Sequence, residues 1–203
     1  MYKIKSSIIN SSRYNLFKIV YIIKYGIFNI LDKVFNKFFS KRFIVQGNYI
    51  NLYINPGQYI YPFIYFLSYQ SLFKFNTLLD IICVDYISFK YRFNTTYVLL
   101  SLKYNFSLHV HTYLKNIPIQ LSITSIFLSA AWLEREIYEF FSVYFILNKD
   151  LRHLLLDYGF QGFPLLKDFP LSGFIEVFYN DNTKKINYTA LSLSQLYRDN
   201  HIT

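Results

Sequence analysis

Apolar and polar positions change period several times along the 203 residues, and each change marks an element. Between Ser11 and Phe39 apolar side chains recur three or four apart at Tyr14, Phe17, Tyr21, Phe28, Leu31, Phe35 and Phe38, with Lys24 as a break. That spacing predicts an amphipathic helix, capped at Ser11 or Ser12 and weakened by about 1 kcal/mol at Gly26 relative to alanine. Phe43–Val45 and Tyr49–Ile54 flank a Gln46-Gly47-Asn48 turn, with Tyr49, Asn51 and Tyr53 alternating against Ile50, Leu52 and Ile54, which is a hairpin signal. After Pro56-Gly57, Tyr59–Phe73 reads as a helix with Pro62 tolerated in its first turn. Leu78–Ile87 is rich in strand formers, and Tyr97–Tyr104 with Phe106–Leu114 straddles Asn105 as a second hairpin. There Leu108, Val110 and Thr112 face away from His109, His111 and Tyr113. From Ser122 the period turns helical, placing Ile123, Ile126, Phe127, Ala130, Leu133, Ile137, Phe140 and Phe141 on one stripe.

The resulting order, ββαβββα, predicts an α+β fold: a mixed or antiparallel sheet with helices on one face, a basic N-terminal helix and an extended C-terminal tail. Three segments follow: a helical arm over residues 1–42, a core over 43–141, and a tail over 142–203. Past Ser142 the periodicity gives way to turn chemistry at Gly159, Gly162, Pro164, Pro170 and Gly173. Such a tail has too little interior of its own and is expected to lie along another protein. No repeat is present.

Composition sharpens this in three ways. Phe 22 and Tyr 21 against Gly 6 and Pro 5, with heavy use of isoleucine, asparagine and lysine, is the mark of an AT-rich and plausibly organellar genome. Residues 1–42 carry nine Lys/Arg against Asp32, so the positive charge sits on the arm; the remainder is nearly neutral, which argues against a domain-wide nucleic-acid surface. The uncharged runs Phe43–Phe73 and Asn116–Leu133 are broken by glycine, proline and polar residues, so no transmembrane span of about 20 apolar residues is expected.

Candidate chemistry is thin. Cys83 is the only cysteine, which excludes an internal disulfide and a four-cysteine iron–sulfur site. His109 and His111 share a strand face, but two ligands fall short of a zinc site, so they read as exposed strand histidines. Glu134, Glu136 and Glu139 cluster around Arg135; Glu136 and Glu139 share a helix face, and Arg135–Glu139 has i, i+4 spacing. Paired carboxylates without a cleft do not imply hydrolysis. Gly159-Phe-Gln-Gly162 lacks the lysine and the strand–helix frame of a phosphate loop. Catalytic, cofactor-binding and metal-binding residues are therefore expected to be absent.

From Trp132 to Phe174 the order Glu-Arg-Glu, an acid at Glu139, DLR (Asp150–Arg152), DYGF (Asp157–Phe160) and KDFPL (Lys167–Leu171) resembles the NuoC-type, thirty-kilodalton peripheral-arm subunit of respiratory complex I. Leu79–Asp85, Tyr97–Tyr104 and Glu176–Asp181 resemble it less specifically. Ser142, Asn148 and Lys149 stand where that family usually has glycine, histidine and proline, and Gln161, Phe163 and Leu166 where it has glutamate, histidine and arginine. The resemblance implies a non-catalytic subunit of proton-pumping NADH:ubiquinone oxidoreductase, on the matrix side of the mitochondrial inner membrane. It implies no cofactor in this chain, with FMN, iron–sulfur clusters and ubiquinone on other subunits. Its implied partners are other complex I subunits, chiefly the large subunit that shapes the quinone site, with membrane association through the complex. Glu134, Arg135, Glu136, Glu139, Asp150, Arg152, Asp157, Tyr158, Gly159, Lys167, Asp168, Phe169 and Pro170 are the docking and framework residues it implies. The related subunit of a membrane-bound hydrogenase or chloroplast dehydrogenase is the near alternative; a basic organellar ribosomal or RNA-binding protein is the distant one.

Overall fold

The computed structural model describes residues 39–46, 49–54, 59–71, 73–195 and 197–198. The predicted N-terminal helix lies outside them, and residues 39–42 belong instead to the first strand. A five-stranded sheet forms the body, in the order β1 (Phe39–Gln46), β2 (Tyr49–Ile54), β5 (Phe106–Leu114), β4 (Phe93–Ser101), β3 (Thr77–Asp85). It is mixed: β2 and β5 run parallel at Leu52↔Val110, and every other neighbour is antiparallel. The α+β class and the mixed sheet agree with the sequence pattern.

Alternation sets which face is covered. Ile50, Leu52, Ile54, Phe106, Leu108, Val110, Tyr97 and Leu99 are buried on one face, where α1 (Ile60–Tyr69) adds Ile60, Phe63, Ile64 and Leu67. Those four helix positions follow the i, i+3, i+4, i+7 rule, so one stripe meets the sheet. Thr95, Thr112 and Gln120 are buried among them and satisfy one another, with Thr95 Oγ1 2.6 Å from Thr112 Oγ1 and the Gln120 amide donating to Thr112 at 3.1 Å.

The second helix, α2, spans Ala130–Phe141 and starts later than the pattern predicts. Residues 122–129 are turns, where the Ser122 and Thr124 hydroxyls bond each other at 2.8 Å and the Ile123 N–H donates to the Glu134 carboxylate at 2.8 Å. Side-chain partners compete with the helical ladder there, yet Ile123, Phe127, Ala130 and Ile137 all remain buried. The stripe reported burial rather than helix. Two short parallel strands, β6 (Ile119–Leu121) and β7 (Tyr144–Ile146), bracket α2.

Beyond Ile146 none of the described residues is buried. This tail is not featureless: it contains a hairpin, β8 (Ile175–Asn180) with β9 (Lys185–Ala190), that turn chemistry had masked. No helix among the described residues is long and apolar enough to cross a membrane.

Candidate functional site

The three acids of α2 have separate fates. Glu134 and Glu139 are fully buried, whereas Glu136 is exposed. Glu134 sits under the loop before the helix, accepting from Ile123 N–H at 2.8 Å and from the Asn148 amide at 2.9 Å. Burial raises its carboxyl above the ordinary value, and those donors pull it back only in part. Asn148 thus supplies a donor to a buried acid.

Glu139 grips the tail. Its oxygens accept the backbone N–H groups of Leu154 and Leu155, each at 2.8 Å, and of Leu156 at 3.4 Å. Burial alone would raise this carboxyl, but the three backbone donors and His153 hold it below the usual range. His153 Nδ1 stands 3.5 Å from Glu139 Oε2, near enough for charge pairing though without hydrogen-bond geometry. One turn earlier, Arg135 donates to the carbonyls of Arg152 at 2.9 Å and His153 at 2.8 Å, with its guanidinium 5.4 Å from the Trp132 ring centroid. The i, i+4 pair between Arg135 and Glu139 is replaced by this arrangement, in which one side chain holds carbonyls and the other holds N–H groups of the same strap. Leu165 N–H adds a bond to the Phe140 carbonyl at 3.2 Å, supplying a helix end with a partner.

A second anchor lies on the β3–β4 hairpin. Asp85 is buried and takes Arg92 in a two-pronged pair at 2.6 and 2.7 Å. The hydrogen bond from Arg92 pulls the Asp85 carboxyl below its usual range, and the same hydrogen bond raises the guanidinium. From the tail, Lys167 N–H donates to Asp85 at 2.9 Å and Asp168 meets Arg92 at 2.5 Å. Neither Asp85 nor Arg92 was singled out from sequence; a D-x6-R spacing across a hairpin carries no signal until the tail is laid beside it.

The remaining motif residues shape the tail itself. Asp150 and Arg152 pair with each other in the open at 2.8 Å, so their charges meet within the chain. Asp157 accepts from Tyr188 at 3.3 Å, and Tyr158 and Gly159 are exposed. Phe169 packs between Phe160 and Phe174 at centroid distances of 6.1 and 5.4 Å. Gly162, at φ +108, passes so close that an added Cβ would lie 2.7 Å from the Phe169 ring. The Pro170 carbonyl accepts Gly173 N–H at 3.0 Å. Of the substituted positions, Phe163 stacks edge-on to Tyr138, Leu166 packs on the core, and Gln161 and Lys149 are exposed.

Chemically this is a holding arrangement. Among the described residues no cluster of three metal-ligating side chains occurs. His109 and His111 are half-buried rather than open, stacked on Tyr49 and Tyr53 at 4.9 and 4.6 Å. Cys83 is buried, and burial pushes its thiol up to about 12, far from a reactive thiolate.

Residues 53–175 match the family described as respiratory-chain NADH dehydrogenase, 30 Kd subunit, a span that holds both anchors and the strap. The chain belongs to that family. It is similar to NADH-ubiquinone oxidoreductase subunit 9 of Acanthamoeba castellanii, 42% identical over 88% of this chain and 89% of the relative. Subunit 9 of Prototheca wickerhamii is 42% identical over 76% and 80%. The NADH dehydrogenase [ubiquinone] iron-sulfur protein 3 of Oryza sativa subsp. japonica is 41% identical over 73% and 78%. Among solved structures, a trypsin-resistant fragment (1–134) of Nqo5 matches 62% of this chain and 98% of its own with TM-score 0.52 at 24% identity. An archaeal membrane-bound sulfane sulfur reductase matches 70% and 85% with TM-score 0.58 at 20% identity. Those two speak for the fold alone. As a member of its family the chain is a peripheral-arm subunit of NADH:ubiquinone oxidoreductase, complex I.

Proposed function

We propose that this subunit is a non-catalytic scaffold on the matrix side of the mitochondrial inner membrane, and that its tail grips the large subunit shaping the quinone site. The observation that carries this reading is the tail's lack of an interior. Past Ile146 no described residue is buried, while Leu155, Tyr158 and Leu171 stand 64%, 78% and 81% exposed. Exposed apolar side chains on a segment without an interior support an interaction surface. Arg135, Glu139 and Asp85 hold backbone groups of the tail, so Leu155, Tyr158 and Leu171 remain outward for a neighbour.

Catalysis belongs elsewhere on this reading. The buried acids are occupied by backbone donors, and one cysteine cannot ligate a cluster that needs four ligands. FMN, iron–sulfur clusters and ubiquinone then sit on other subunits, and this chain keeps their path rigid by keeping a neighbour in place. Iron or flavin absorbance travelling with the purified chain would contradict that.

Glu136 offers the sharpest test because it is exposed and pairs with no other side chain among the described residues. Glu136→Lys should leave the isolated chain's stability within about 0.5 kcal/mol. In mitochondria it should lower complex I abundance on a blue-native gel stained for NADH dehydrogenase, with normal turnover per remaining complex. Full abundance with lost turnover would refute the scaffold reading.

A further inference from the structure

β3 is an edge strand: among the described residues it pairs with β4 alone. An open edge offers N–H and C=O groups to any strand that meets it. The sequence of this one favours such pairing. Ile81–Val84 is an uncharged, largely β-branched run bounded by Asp80 and Asp85, and Leu79 and Ile82 stand 50% and 45% exposed along it. A run of that kind on an edge is a self-association hazard. The ladder fixes which groups face outward. The Tyr86 N–H donates to the Arg92 carbonyl at 2.7 Å, and bonded and non-bonded pairs alternate along an antiparallel ladder. Asp85↔Phe93, Cys83↔Thr95 and Ile81↔Tyr97 are therefore non-bonded pairs, so the N–H groups of Asp85, Cys83 and Ile81 point away from β4. One of these is already taken: the Ile81 N–H donates to the Asp80 carboxylate at 2.8 Å. Asp80 also closes a bulge, in which Leu78 meets Leu99, Asp80 meets Val98 and Leu79 is the extra residue. Bulges bend an edge out of line.

We propose that the Ile81–Asp85 edge is a latent pairing site for a second copy of this chain, and that Asp80 keeps it shut in the unassembled subunit. Symmetry selects that occupant. The outward groups sit at Ile81, Cys83 and Asp85, evenly placed about Cys83. A two-fold axis at Cys83 sets the Ile81 of each copy against the Asp85 of the other, and every outward N–H then meets an outward carbonyl. Ile82 falls opposite Val84, apolar on apolar. Two sheets become one across the seam, with backbone bonds rather than a large buried area holding it. Asp80 opposes this in two ways. Its carboxylate occupies an N–H that the pairing needs, and the bulge it closes ends the flat part of the edge. This safeguard belongs to the chain before assembly, whatever the tail later holds.

Sedimentation of the full chain carrying Asp80→Ala tests this. Asp80 is exposed, so the variant should fold and melt within about 2 °C of the parent. Freeing a donor from a charged group in each copy should tighten self-association at least about tenfold. In the dimer the Cys83 amide should exchange at least about tenfold more slowly than in the parent monomer. Adding Ile82→Lys, an edge charge of the kind that blocks strand addition, should return association to the parent's level. Asp80→Asn keeps an oxygen for the same N–H and should stay within about twofold of the parent. An alanine variant that stays monomeric over the same concentrations, or joins only a different protein in mitochondrial extract, overturns the proposal. So does a dimer whose Cys83 amide is unprotected or that ignores the lysine, since another surface would then carry it. Association of the asparagine variant equal to that of alanine removes the capped N–H as the cause and overturns it too.

Discussion

Ser142 shows how a single residue can be out of register with its backbone. It ends α2 in the left-handed region at φ 62, with its N–H bonded to the Tyr138 carbonyl at 3.0 Å. Glycine takes that conformation without a Cβ penalty, so it would suit the position better than serine. Ser142→Gly should stabilise the chain by about 0.5–1 kcal/mol, read as a higher thermal midpoint. The sequence showed that this position departs from its family but not that φ is positive; only the helix end reveals the strain. His111 makes a second case. Burial first, and then the neighbouring His109, lower its pKa from 6.5 to about 4, while its ring stacks on Tyr53 and its Nδ1 lies 2.9 Å from Thr96. The unfolded chain then binds the proton more tightly than the folded one, so this group's contribution is intact above pH about 6.5 and is lost as pH falls toward 4. Thermal midpoints of the parent should fall more steeply across that window than those of His111→Gln. Parallel curves would mean that the imidazole titrates normally.

At the scale of elements, α2 and the strap it holds behave as one unit. Glu139 contributes three charge-assisted acceptor contacts to Leu154, Leu155 and Leu156, each of a kind worth about 1.5–3 kcal/mol when buried. Glu139→Gln keeps the shape but loses the charge and turns one oxygen into a donor facing an N–H. Amide exchange at Leu154–Leu156 should quicken by about 30- to 100-fold, for a local loss of roughly 2–3 kcal/mol, with amides of β4 and β5 unaffected. Uniform loss across the sheet would mean that the strap is no separate unit. Part of this was legible beforehand, since the clustering of Glu134, Glu136 and Glu139 around Arg135 drew attention to α2, although Glu136 points to solvent. Their partners were not, because backbone N–H groups have no sequence signature, and Lys167 reaches Asp85 across 82 positions. The helix start slid from Ser122 to Ala130 for a related reason: a carboxylate on α2 captured the loop that periodicity had counted as helix. The β8–β9 alternation was present in the residues and was hidden only by the turns before it.

For the whole molecule, the body and the tail are joined more by polar capture than by a shared apolar core: Leu151 and Leu166 lie against the core without being buried. That has an energetic signature. Removing everything after Asp150 takes away little buried apolar surface, since nothing beyond Ile146 is buried, but it strips the donors from a carboxylate that is 0% exposed. Charge-assisted contacts of this kind are worth about 1.5–3 kcal/mol each and water replaces them only in part, so truncation should be more damaging than its lost area predicts. Glu139→Met removes the charge at similar size, and in that background the same truncation should cost about 1 kcal/mol or less, a coupling of about 2–3 kcal/mol between the side chain and the tail. Arg135 need not share this behaviour, because it is only half-buried and water can replace the carbonyls it loses. Urea midpoints for the four chains of this cycle measure the coupling directly. If truncation costs the same with Glu139 and with Met, then apolar contacts hold the tail, and the division into a packed body and a captured strap is wrong.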